Sequence, residues 1–236
     1  MILGASFILF PYNIKPIREA CDETQSVLGY DASHVLGLIA GGAFQDPLGD
    51  GVDIVTGSTH KTLFGPQGGL ILTNREEIFA QVTGKLAWHT LDNAHQNRIA
   101  ALGQALLEHK EFGGDYALQV IKNSKHFAQA LSEAGIPIRF SALNYTKSHQ
   151  VLMDIDEIKL KFGLNSTELM NLLEGQNIIV DAVGRLGTSE MTRRGCKEED
   201  MERIAEFMAR VIINHDTGVA RDIKGFLKNC RLSYCY

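Results

Sequence analysis

The sequence has no apolar run near the roughly 18 residues that a membrane span needs. It has only 5 prolines and one tryptophan in 236 residues, and no surplus of positive charge. Each shortage removes a class of protein. The apolar opening, MILGASFILF, has no basic residues before it and runs into Pro11, so it reads as a buried strand and not as a secretory leader. With 23 basic against 28 acidic residues the formal charge is -5, which leaves no field to gather nucleic acid or an anionic membrane. Cys21, Cys196, Cys230 and Cys235 form neither a CxxC pair nor a metal-finger spacing. Free thiols in a reducing compartment are expected, with the cytoplasm as the default. His89, His95, His109 and His126 are scattered without paired spacing or acidic partners, so they read as solvated or packed residues and no catalytic metal is expected.

What is present suits a globular protein with a small-molecule site. Hydrophobic residues make up 44% and charged residues 22%, and the length is enough for one large domain or two smaller ones. The chain opens with alternating strands and helices. A strand is expected over residues 6–10 and a helix over 14–27, where Ile14, Ile17, Cys21 and Thr24 recur at helical spacing. A short strand over 28–30 then delivers Asp31 at its carboxyl end, making a βαβ unit. A short helix over 34–40 precedes a strand over 52–56, which ends in a polar cluster containing Lys61. A strand over 70–73, a helix over 75–83 opened by Asn74, and two long helices over 93–109 and 115–134 follow. Beyond these the pattern predicts strands over 136–140, 151–155 and 178–183, helices over 167–174 and 198–213, and a last strand over 231–236. This second part suits an α+β domain.

In open α/β sheets ligands bind beyond the carboxyl ends of the strands, and two polar residues sit at such ends. Most lysines are solvated surface charges. Lys61, however, lies between hydroxyl residues and beside His60 just past a buried strand, a setting that suits an amine which must shed its proton to form an imine. Asp31 offers the anion that keeps a pyridine nitrogen protonated when the ring serves as an electron sink. On the residues alone this pairing stands beside a plainer reading, two unrelated polar residues at separate loop starts.

Three segments, YDASHVLGLIAGG at 30–42, STHKTLFGPQGG at 58–69 and GRLGTSEMTRRG at 184–195, together resemble serine hydroxymethyltransferases. GASFILFP at 4–11 and the closing Tyr-Cys extend the resemblance along the chain. It implies a partial aspartate-aminotransferase-like α/β large domain over residues 1–110, which binds pyridoxal 5'-phosphate, and a smaller α+β domain over 111–236. It makes Lys61 the Schiff-base lysine with His60 before it, Asp31 the partner of the pyridine nitrogen, His34 the residue beside the ring, and Thr59 a hydroxyl that assists the cofactor site. Arg185 takes the place of the arginine that clamps the substrate carboxylate, as a planar bidentate donor can. Without the motif, His34 reads as a residue that caps or packs a helix start and Arg185 as a surface arginine. Arg193 and Arg194 are read as structural.

The implied activity is transfer of a one-carbon unit between serine and tetrahydrofolate by a cytoplasmic homodimer. The pattern departs from the family in three places. The segment that supplies most of the phosphate cup precedes the region of resemblance, Gln67 stands where the family often has arginine, and only three residues separate Asp181 from Arg185. A folate-independent β-hydroxy amino-acid aldolase or transaldolase is therefore a rival reading. A non-catalytic fragment, or a subunit needing a complementary amino-terminal chain, is another.

Overall fold

The computed structural model describes residues 1–86, 89–91 and 93–236. They divide into two compact units, Met1–Ala117 with Tyr236, and Leu118–Cys235.

The first unit is built on a four-stranded sheet of β1 (Ile2–Leu3), β2 (Gly29–Asp31), β3 (Ile54–Ser58) and β4 (Gly69–Leu72), in that order. β1 to β3 run parallel and β4 returns antiparallel to β3. Helix α1 (Ile14–Glu23) connects β1 to β2, and α2 (Leu36–Ala40) lies between β2 and β3. Leu28, Tyr30, Val35, Leu38, Val55 and Leu63 are buried in this core. The expected strand over 6–10 does not form. Ile8 and Leu9 are buried all the same, and pairing with β2 falls to Ile2 and Leu3. Apolar content reports burial, whereas a strand also needs a free ladder beside it.

Helix α3 (Glu76–Leu86) follows β4, and α4 (Gln96–Glu133) is one continuous helix where two were expected. The helix runs through Gly113-Gly114, and Gly113 lies against the turn after α2. A side chain at Gly41 would lie 2.4 Å from Gly113 O and 2.6 Å from Ala117 Cβ, so the helix and the turn after α2 meet backbone to backbone.

The second unit holds a two-stranded antiparallel sheet of β5 (Gln150–Leu152) and β6 (Arg185–Gly187). Around it stand α5 (Ile155–Phe162), α6 (Ser166–Glu174), α7 (Ser189–Arg193), α8 (Glu198–Asn214) and α9 (Val219–Leu227). α6 opens with a capping box in which Asn165 accepts from the Thr167 and Glu168 N–H groups and Glu168 answers at the Asn165 N–H. Leu131, Met153, Ile158, Leu173, Met208 and Val211 centre the core.

Three strand expectations fail in this unit. Over 136–140 only Ile138 makes a bridge, to Met153. Over 178–183 the Asp181 carboxylate accepts from the Val183 and Arg185 N–H groups and turns the chain, and the following residues become the partner of β5. Residues 231–236 form no strand, and α9 precedes them unannounced. No helix among the described residues is long and apolar enough to cross a membrane.

Candidate active site

Parallel pairing sets Asp31 against Thr56, so β2 and β3 end at the same edge of the sheet. The two segments that leave this edge carry the candidate residues. Asp31 is half-buried and its Oδ1 accepts from the Ser33 N–H at 2.9 Å, a local turn that fixes the carboxylate at the strand end. Gly4 lets the neighbouring chain approach it, since a Cβ there would fall 2.7 Å from Asp31 Cβ.

The loop carrying Lys61 is tied to itself by several bonds. Thr59 N–H donates to Gly68 O at 3.0 Å, Gly65 N–H to Thr59 O at 2.7 Å, and Phe64 N–H to Lys61 O at 3.0 Å. The Thr59 hydroxyl is buried and donates to Pro66 O at 2.6 Å, so its proton is engaged inside the loop. His60 is exposed, with Nδ1 3.4 Å from the Gly68 amide nitrogen. Phe64 anchors the loop edge-on against Tyr116 at 4.9 Å and beside His109 at 5.0 Å.

Two bonds spanning 25 residues join this loop region to the segment after Asp31. Ser33 Oγ accepts from the Ser58 N–H at 3.2 Å, and Thr62 Oγ1 accepts from the Gly37 N–H at 2.9 Å. A Cβ at Gly37 would lie 2.1 Å from Thr62 O, so the two chains touch at backbone distance. His109, buried, sets its Nε2 3.0 Å from Gly37 O and is thus a packed residue of this framework. The framework brings Lys61 Nζ to 3.4 Å from His34 Nε2, three residues after Asp31.

An amine and an imidazole therefore meet just beyond the sheet edge at which the Asp31 carboxylate ends its strand. Nearby, burial pushes the Tyr30 phenol well above its ordinary range, with Tyr12 and Asp31 adding to the effect, so it stays protonated and donates to Gln45 Oε1. Ser33, Thr62 and Gly37 were not singled out in the sequence, because a side chain bonding a distant backbone leaves no periodic trace.

Arg185 belongs to the second unit, where it begins β6. Its guanidinium pairs with Asp181 at 3.0 Å, and both line a mostly apolar cleft of about 730 Å³ with Ile178, Phe207 and Phe226. A carboxylate arriving at Arg185 would compete with Asp181.

Residues 1–208 match the family model for serine hydroxymethyltransferase. The serine hydroxymethyltransferase of Methanocella arvoryzae is 41% identical over all of this chain and 59% of its own length. That of Staphylothermus marinus is 43% identical, covering 91% of this chain and 51% of the relative. Among solved structures, the L-threonine transaldolase from Pseudomonas fluorescens, in its internal aldimine state, superposes with a TM-score of 0.87 at 33% identity, over 99% of this chain and 56% of that one. The chain thus spans a little over half the length of the proteins it matches, and it belongs to the serine hydroxymethyltransferase family.

Proposed function

We propose that this chain carries the lysine-bearing part of a pyridoxal 5'-phosphate enzyme that transfers a one-carbon unit between serine and tetrahydrofolate. The observation that carries the reading is the 3.4 Å approach of Lys61 Nζ to His34 Nε2, just beyond the shared carboxyl edge of β2 and β3 where Asp31 also lies. The donor set fits the group: an amine to join the aldehyde, a carboxylate to pair with the ring nitrogen, and an imidazole to lie beside the ring. When bound, pyridoxal 5'-phosphate supplies an aldehyde and an electron-accepting ring.

The chain's own residues do the rest. Lys61 would hold the cofactor's aldehyde, and His60 beside it would exchange protons. Asp31, fixed by the Ser33 N–H, would pair with the cofactor's ring nitrogen. Thr59 braces the loop through Pro66 and so sets the reach of Lys61. Arg185 is the candidate to grip a substrate carboxylate, which would have to displace Asp181 from it. Residues 1–110 serve as the cofactor-binding part and 111–236 as the smaller domain. The working assembly is a homodimer, or this chain joined to a complementary amino-terminal one.

The likeness to a threonine transaldolase and the short link from Asp181 to Arg185 favour a second reading, folate-independent cleavage of β-hydroxy amino acids. The test is visible absorbance of the purified chain mixed with pyridoxal 5'-phosphate. A band in the wild type that Lys61→Ala lacks supports the site. Its absence from both proteins, also after an amino-terminal half from a relative is added, counts against it. Assaying serine with and without tetrahydrofolate, beside threonine, then separates transferase from aldolase.

A further inference from the structure

Cys196 and Cys230 are 34 residues apart in sequence, yet their Sγ atoms lie 3.7 Å apart in the second unit. Both main chains are held independently of the thiols. Cys196 N–H donates to Met191 O at 3.0 Å and its carbonyl accepts from Asn123 Nδ2 at 2.9 Å, which fixes the turn between α7 and α8. Cys230 follows α9, with its N–H directed to Leu227 O at 3.2 Å.

The segment after Cys230 is bound to the end of α7. Arg231 N–H donates to Arg194 O at 3.0 Å, Ser233 N–H donates to Arg193 O at 2.9 Å, and the Arg193 guanidinium reaches the carbonyls of Ser233 and Tyr234. These bonds keep the two sulfurs together whether or not they react. Closing the gap to a bond of about 2.05 Å requires roughly 1.7 Å of relative sulfur movement, within reach of side-chain rotation.

We propose that Cys196 and Cys230 are an oxidisable dithiol, a modification site at which a low-molecular-weight disulfide covalently locks the carboxyl-terminal segment onto the turn after α7. The site is independent of the cofactor reading. Cys230 is the more exposed of the two and is the point of entry. Burial, and then the contact with Cys230, push the Cys196 thiol up to about 12, so it does not act first, and its part in the second step rests on the 3.7 Å between the two sulfurs.

In the first step the Cys230 thiolate attacks one sulfur of the external disulfide, forming a mixed disulfide and expelling one thiolate. In the second, Cys196 loses its proton to solvent as its sulfur attacks Cys230 Sγ, and the second external thiolate leaves. One external disulfide is reduced to two thiols, and two protein thiols are oxidised to one disulfide. The locked form should be cleaved more slowly at Lys228 and Arg231, which lie beside the bridge.

The test uses the whole chain treated with oxidised glutathione, blocked by alkylation, digested and mapped by mass spectrometry. The expected product is a peptide pair linking Cys196 to Cys230, reversed by dithiothreitol and unchanged in Cys235→Ser. Cys196→Ala should stop at a glutathione adduct on Cys230, and Cys230→Ser should give neither product. Limited trypsin treatment of the oxidised wild type should show several-fold slower loss of the terminal segment. The proposal is overturned if Cys230 of the wild type stops at the adduct, links chiefly to Cys235, or is not modified at all.

Discussion

A methyl group at position 37 has no room, since it would meet Thr62 O at 2.1 Å, and Thr62 is the neighbour of Lys61. Gly37→Ala should therefore cost about 1–3 kcal/mol of stability and also weaken the pyridoxal absorbance, because the loop can make room only by moving the lysine. Urea unfolding and a cofactor titration of the same variant would check both.

Asp53 is buried between Arg18 and Arg75, each at 2.8 Å. Burial alone would raise its pKa. The Leu28 N–H and the two guanidinium groups outweigh burial and hold the carboxyl at about 2. Its folded value lies below the unfolded one, so the stability it contributes is present above about pH 4 and is lost as the pH falls toward 2. The loss should be on the order of 2 kcal/mol at most, and Asp53→Asn should flatten that part of a stability-pH curve. Among single residues, the positions of Lys61 and Asp31 at strand ends were legible in the sequence, because a short apolar run precedes each. The role of Asp53 was not, because its two arginines come from 35 residues before it and 22 after it in the chain.

Glycines around helix α4 meet different surroundings. Gly41→Ala should destabilise, because its Cβ would press on Gly113 O, whereas Gly114 is exposed and its nearest atom, Gly41 O, stands 3.8 Å away. Gly114→Ala should therefore raise stability by roughly 0.5–1 kcal/mol, and the opposite signs are readable by thermal unfolding of the two variants. Helical periodicity revealed α1, α6 and α8, and at α6 the Asn165 cap agrees with the apolar spacing. It missed α5, although Asp154 caps its start and Gly163 ends it at φ 72°, because the stretch from Val151 to Ile155 fits a longer strand equally well. It missed α9 too, where Val219, Ile223 and Phe226 are the buried face. Short apolar runs fit strand and helix alike, and the choice depends on which backbone has a free ladder.

At the scale of the whole molecule, the α/β character and the family were legible because three motifs occur in order, and motif order survives errors in strand boundaries. The first unit carries large apolar side chains in solvent, among them Phe79 at 63% and Ile99 at 57% exposure. An isolated chain of 26.0 kDa with such a surface is expected to associate. Sedimentation at micromolar concentration should read a heavier species, and a strictly monomeric result would count against the homodimer reading. Among the described residues β1 is bonded to β2 alone, and Ile2 is 81% exposed. With only two residues, β1 offers a foreign strand almost no ladder on which to add itself. Crowded or warmed preparations should therefore not nucleate fibrous deposits from this rim of the sheet, and a lysine in place of Ile2 should leave their turbidity unchanged.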